Sequence, residues 1–289
     1  MEKGVSRQRR APLSAVEAAK RLNRGSAMLA ASVLLDSGIE HYRGGFYNPA
    51  MVTPLITSLA ALATSLHAHR DSKQQRHAQR DAMFVLTTAT GLVGTGFHIY
   101  NVLKKPGGWR WQNLFYSGPL GAPAAILLSG LFGLLAERVR DTPPERTPRI
   151  CGLNAGRVTS LVTSLGLLGT TSEAGLLHFR GAFHNPAMYL PVTMPPAAAA
   201  LMANAAFGDG RKNRWFSRLW LRFIAWLGLA GAGFHIYGVS RAMGGWRNWR
   251  QNMVDGPPIP APPSFTGLAL AGLAALALLR AHPDEASGG

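Results

Sequence analysis

Only one of the 289 residues is a cysteine, Cys151, so the chain can form neither an internal disulfide nor a cysteine-based metal cluster. Acidic residues are scarce as well: 14 Asp and Glu stand against 30 Lys and Arg, a formal charge of +16. On a soluble fold that excess would point to nucleic acid. Here the basic residues collect between long apolar runs, which places them in loops, and no nucleic-acid partner is expected. Within the runs charge is nearly absent. They extend for roughly 18–22 residues, enough to cross ~30 Å of hydrocarbon at ~1.5 Å per helical residue. A soluble amphipathic helix would interrupt them with a polar face. The chain also lacks a hydrolase triad, a phosphate-binding loop and a nucleotide-binding segment. No small-residue cleavage site follows the first apolar run, so that run is expected to stay as a span.

What the chain does contain is a duplication. The stretch from Asp36 to Met51, D-S-G-I-E-H-Y-R-G-G-F-Y-N-P-A-M, matches E-A-G-L-L-H-F-R-G-A-F-H-N-P-A-M from Glu173 to Met188 at an offset of 137. At the same offset G-T-G-F-H-I-Y (Gly94 to Tyr100) matches G-A-G-F-H-I-Y (Gly231 to Tyr237), Gly107-Gly108-Trp109 matches Gly244-Gly245-Trp246, and Pro54 matches Pro191. So many matches in one register mean a repeat. Each copy holds four apolar segments: 25–42, 50–67, 82–102 and 118–137, then 159–179, 187–207, 220–237 and 264–280. In lipid every backbone group must be satisfied locally, so the segments are expected to be helices.

The expected fold is therefore an all-α polytopic membrane protein with eight transmembrane helices. A basic tail (1–24) leads into the first four-helix repeat (25–137). A basic, Pro-rich linker (138–157) joins it to the second (158–280), and a short tail (281–289) ends the chain. An even number of spans per unit makes the repeats parallel, unlike the inverted repeats of many transporters. The tails with the adjoining Arg280, the linker and the loops at 68–81 and 208–222 carry 22 of the 30 Lys and Arg, and the opposite loops carry 8. The positive-inside rule then puts both termini in the cytoplasm. Reporter fusions after Gly44, Gly108, Gly181 and Gly244 should read as extracytoplasmic, and fusions after Lys73, Arg146 and Lys212 as cytoplasmic. A cytoplasmic reading at Gly108 would reverse the orientation.

That orientation sets His41, His98, His178 and His235 at one depth, at the outer ends of the first, third, fifth and seventh helices. Each follows a glycine by about one turn: Gly38, Gly94, Gly175 and Gly231. Imidazoles beside gaps in a helix surface are what a flat macrocycle such as haem requires, since it needs axial ligands and close approach. Small residues one turn apart equally serve close helix contact in lipid. Asp36 and Glu173 lie about one and a half turns inside the histidines. A carboxylate in a membrane helix costs on the order of 2.5–3.5 kcal/mol and usually marks proton or ion chemistry. It could also orient a ligand imidazole or pair with Arg43 or Arg180. Those two arginines, next to the histidine motifs, are candidates for a haem propionate, a partner carboxylate or simple snorkelling. His67, His69 and His77 fall in the basic cytoplasmic loop and are expected to be solvated.

The triplets Asn48-Pro49-Ala50 and Asn185-Pro186-Ala187 resemble the paired N-P-A motifs of aquaporins. The likeness stops there: Met188 replaces the arginine expected after the second motif, each triplet opens a full-length span, and the repeats are parallel. An Asn helix cap with Pro in the first turn accounts for them. The overall plan is similar to the membrane-anchor subunits of respiratory oxidoreductases. That resemblance implies an inner-membrane electron-transfer subunit, with haem b or quinone held by the four histidines and a periplasmic dehydrogenase docked outside. A proton-coupled transporter working between the two halves, and a membrane metalloenzyme with a His-carboxylate site, are the other readings.

Overall fold

The computed structural model describes residues 14–143, 145–209 and 212–282; residues 1–13 and 283–289, most of the two expected tails, lie outside the described residues. Among the described residues ten α-helices form: α1 (Ala15–Arg43), α2 (Thr53–Arg70), α3 (Ala78–Leu103), the short α4 (Trp111–Phe115), α5 (Gly121–Arg140), α6 (Ala155–Arg180), α7 (Leu190–Phe207), α8 (Trp215–Arg241), the short α9 (Trp249–Asp255) and α10 (Pro263–Ala281). Among the described residues the only strands are β1 (Arg149–Ile150) and β2 (Leu153–Asn154), an antiparallel hairpin in the linker. Cys151 and Gly152 turn it at φ 49° and 81°, the two left-handed positions that a two-residue hairpin turn demands.

The helices overrun the apolar segments. Ser14 caps α1, accepting from the Glu17 amide at 3.2 Å, so the helix starts ten residues before the apolar run and carries Lys20, Arg21 and Arg24 with it. Likewise α5 and α6 each take three residues of the expected linker. Hydrophobicity marks where a helix meets lipid, whereas caps mark where it ends.

Among the described residues six helices are long and apolar enough to cross a membrane: α3, α5, α8 and α10, together with α2 and α7 counted with the turns that precede them. This is a helical, multi-span membrane protein. The remaining long helices, α1 and α6, are the polar ones, with Asp36 and Glu40 on the first and Glu173 on the second. Their position explains why they can be. Four helices form a central ring in which α1 packs on α5 and α10, and α6 packs on the same two. Around it α2 and α3 flank α1 and α5, while α7 and α8 flank α6 and α10. The apolar stretches of α5 and α10 are 61% and 72% buried, against 17% for α3 and for α8. Both α1 and α6 have helical neighbours on several sides, so neither need be apolar all round.

Small residues set the spacing. A Cβ on Gly91 of α3 would overlap the Leu127 backbone of α5, and one on Gly228 of α8 would collide with Thr266 and stand 2.8 Å from the Pro262 carbonyl beside α10. Interhelical hydrogen bonds add to this. Ser26 of α1 bonds the Ser129 carbonyl of α5 at 2.8 Å and lies 2.9 Å from Ser65 of α2; Thr266 bonds the Ala225 carbonyl of α8 at 2.8 Å. Each such bond contributes roughly 0.6–2 kcal/mol in lipid. Gly91→Ala and Gly228→Ala should each cost about 1–3 kcal/mol through overpacking. Gly96→Ala and Gly233→Ala, whose added methyls would meet nothing within 4 Å, should leave thermal unfolding in detergent unchanged.

Candidate functional site

Each half carries a matching imidazole at the turn that closes its first hairpin. After α1 the chain reverses through Gly45 and Phe46 at φ 69° and 46°, and after α6 through Ala182 and Phe183 at φ 56° and 44°. The Phe46 amide returns to the His41 carbonyl at 3.0 Å, and that of Phe183 to His178 at 3.1 Å. Asn48 and Asn185 then accept from the Ala50 and Ala187 amides, both at 2.9 Å, with Pro49 and Pro186 in the first turn. The N-P-A triplets are thus helix caps. This turn carries the Met51 and Met188 carbonyls to the rings of His41 and His178, whose Nδ1 atoms lie 2.6 and 2.8 Å away. Phe46 and Phe183 stand edge-on to these rings, each with centroids 6.1 Å apart.

The other two histidines are tied in the same way, with His98 Nδ1 2.7 Å from the Pro119 carbonyl and His235 Nδ1 2.7 Å from that of Pro258. These partners are not 137 residues apart but 139. Two extra residues enter the second half before Gln251-Asn252, the counterpart of Gln112-Asn113. Asn113 bonds the Gly108 carbonyl at 2.7 Å and Asn252 that of Gly245 at 2.8 Å, so both loops are pinned alike despite the insertion. Beyond it Pro119-Leu120-Gly121-Ala122-Pro123 matches Pro258-Ile259-Pro260-Ala261-Pro262. A fixed register of 137 hides this match, which sets Pro119 against Gly256.

A carbonyl oxygen only accepts, so each ring must hold its proton on Nδ1 and present a lone pair on Nε2 when neutral. A backbone-tethered imidazole of this kind is the usual arrangement of a metal-ligating histidine. Each ring is tied within its own half, His41 and His98 to carbonyls of the first and His178 and His235 to carbonyls of the second. All four are partly buried. Packing around them is open: between residues 34 and 56 only Ser37 is buried, and between 168 and 194 none is. The glycines divide. Gly38 has nothing within 4 Å, and Gly175 makes an ordinary contact with Val192. The notches at Gly94 and Gly231 are filled by Pro123 and Pro262, at 3.2 and 2.8 Å from where a Cβ would stand. Beside His98 and His235 the glycine therefore serves helix packing.

The acids do not orient the histidines. Among the described residues neither Asp36 nor Glu173 bonds an imidazole. Both face the other half instead. Glu173 on α6 accepts from the Leu120 amide at the start of α5, at 3.3 Å, while its Oε1 is buried without a hydrogen-bond partner. Ser32, one turn before Asp36, bonds the Pro260 carbonyl just ahead of α10 at 2.5 Å. Asp36, Glu40 and Glu173 are mutual charge neighbours at this junction. Arg43 pairs with Glu40 at 2.9 Å rather than with Asp36.

The arginines cross between halves too. Arg43 Nε donates to the Val254 carbonyl in the last turn of α9 at 2.6 Å; Arg180 donates to the Leu114 and Ser117 carbonyls at the end of α4, at 3.3 and 3.2 Å. A guanidinium suits carbonyls at a helix C-terminus. Among the described residues no three His, Cys, Asp or Glu side chains group as a metal site. No protein-family model, curated protein or solved structure matches the chain.

Proposed function

We propose that this chain is the membrane subunit of an inner-membrane electron-transfer complex, binding one b-type haem in each half. His41 with His98, and His178 with His235, would supply the axial nitrogens. The observation that carries this reading is the tautomer shared by four equivalent imidazoles, each tied through Nδ1 and presenting Nε2 in the loosely packed outer half of its bundle. The donor set fits: two imidazoles per site tethered through Nδ1, with no competing carboxylate bond, and open space beside Gly38. A neutral ring held this way can ligate iron or accept from a quinol O–H, but it cannot donate to a quinone carbonyl. Haem would supply one-electron transfer near the face where a periplasmic dehydrogenase docks.

In the same reading α1 and α6 also cross the membrane, for eight spans, and the halves are parallel with both termini cytoplasmic. The recurrence of packing neighbours in the two halves supports this: α1 with α2 and α5 is repeated as α6 with α7 and α10. Asp36, Glu40 and Glu173 at the junction would take up or release protons. Their cross-half placement also favours a second reading, a proton-coupled transporter whose path runs between the halves. A visible spectrum of protein purified from haem-replete membranes separates the two. The haem reading expects a Soret band, reducible α-bands and two haems per chain. A colourless protein that moves protons in vesicles would establish the transporter instead.

A further inference from the structure

A second polar feature lies at the opposite, basic end of the first bundle and does not depend on the haem reading. It is a shallow cleft of about 370 Å³ lined by His67, Arg70, Asp71, Lys73, His77 and Arg80. These come from the last turn of α2, the loop after it and the first turn of α3. The single carboxylate is already engaged. Asp71 accepts from the Lys73 amide at 2.9 Å and from Arg80 at 2.7 Å. Burial works to raise its pKa, but the Lys73 amide and the Arg80 guanidinium prevail and hold it down to about 2. The neighbouring Glu137 is matched by Arg140 at 3.2 Å. The side chains of Arg70, Lys73 and His67, by contrast, make no hydrogen bond or ion pair among the described residues. The first-turn amides of α3 add to the positive end, since its N-cap His77 contributes no side-chain cap.

We propose that this cleft binds a phosphate group, that of an anionic phospholipid headgroup on the basic face. Arg70 and Lys73 supply the free cations, and Arg80, fixed by Asp71, the rigid wall. The level is right for a headgroup. α2 and α3 are both candidate spans, and the cleft lies where one ends and the other begins. A basic recess between two spans at the cytoplasmic surface is a recurring site for such lipids. The second half has no counterpart, because Ser217 and Leu276 stand where Arg80 and Glu137 do. One phosphate per chain is therefore expected.

The test uses the full chain in neutral detergent and measures its thermal midpoint with three probes: dihexanoylphosphatidylglycerol, dihexanoylphosphatidylcholine and inorganic phosphate. A saturable rise with the glycerol lipid, absent with the choline lipid and with phosphate, is the expected result. An equal rise with inorganic phosphate would keep the site and assign it to a free anion. Arg70→Gln with Lys73→Gln avoids the buried pairs and should weaken the effective ligand roughly 30-fold, at about fivefold per basic side chain. Arg138→Gln with Arg146→Gln, on exposed basic residues of the same face, should not. If no probe raises the midpoint, or if both double variants lose binding equally, the site does not exist.

Discussion

Replacing His98 with alanine should lower the haem content of the purified protein from two to one per chain and halve its Soret absorbance. His98 lies on α3 and its neighbour His41 on α1, two helices that sit diagonally in the first bundle, both packed on α5. Removing one imidazole takes away one of two axial ligands, while the site of His178 and His235 lies in the other bundle. His235→Ala should give the same half loss, and the two changes together a colourless protein. The double variant His41→Ala with His98→Ala tells more. If each half makes its own site, one haem survives. If the sites form across the halves, both are lost. His184→Ala should change nothing, since the ring of His184 bonds only the nearby Gly181 carbonyl, at 2.9 Å. Full haem content in the His98 variant would end the bis-histidine assignment, and the histidines would be left as tethers that hold their loops to the helix ends.

Arg140→Met should destabilise the protein by about 3–5 kcal/mol, because it strands a buried charge. Arg140 and Glu137 are both fully buried, at 0% exposure. The guanidinium bonds Glu137 at 3.2 Å, the Ala68 carbonyl at 2.7 Å and the Asp71 carbonyl at 3.0 Å. It thereby ties the end of α5 to the α2–α3 loop. Without it Glu137 keeps only Arg80, at 3.6 Å, and His77, at 3.7 Å. The second half shows the apolar solution to the same packing problem: Leu276 and Leu279 occupy the corresponding positions of α10, almost wholly buried. Glu137→Leu with Arg140→Leu should therefore recover a large part of the loss, since a buried ion pair and a well-packed apolar pair differ little in stability. Equilibrium unfolding in mixed micelles measures both. If the double variant is as unstable as Arg140→Met, the carbonyl bonds matter more than the charge.

Arg140 also marks where the sequence misleads. Read along the chain it is one more cation in a basic linker, useful for orientation and nothing else. His77, expected to be solvated, is likewise drawn between Asp71 at 3.4 Å and Glu137 at 3.7 Å. Nothing in the spacing of these residues announces the cluster, because its members come from α2, α3, α5 and the loop between α2 and α3 and lie up to 72 positions apart.

The sequence by itself determined what depends on neighbours along the chain: the apolar helices, the duplicated motifs and the N-P-A caps. Those features follow from hydrogen bonds and hydrophobicity within a few residues. Only the tertiary structure decided the partners. It drew α1 and α6 into the centre, gave each imidazole a carbonyl 10 to 23 residues away, and turned Arg43, Arg180 and Glu173 toward the opposite half. It also packed Pro123 and Pro262 against Gly94 and Gly231. The reason is physical. A polar side chain in a dry interior must satisfy itself with whatever group packing brings near, and packing is settled between helices rather than along them.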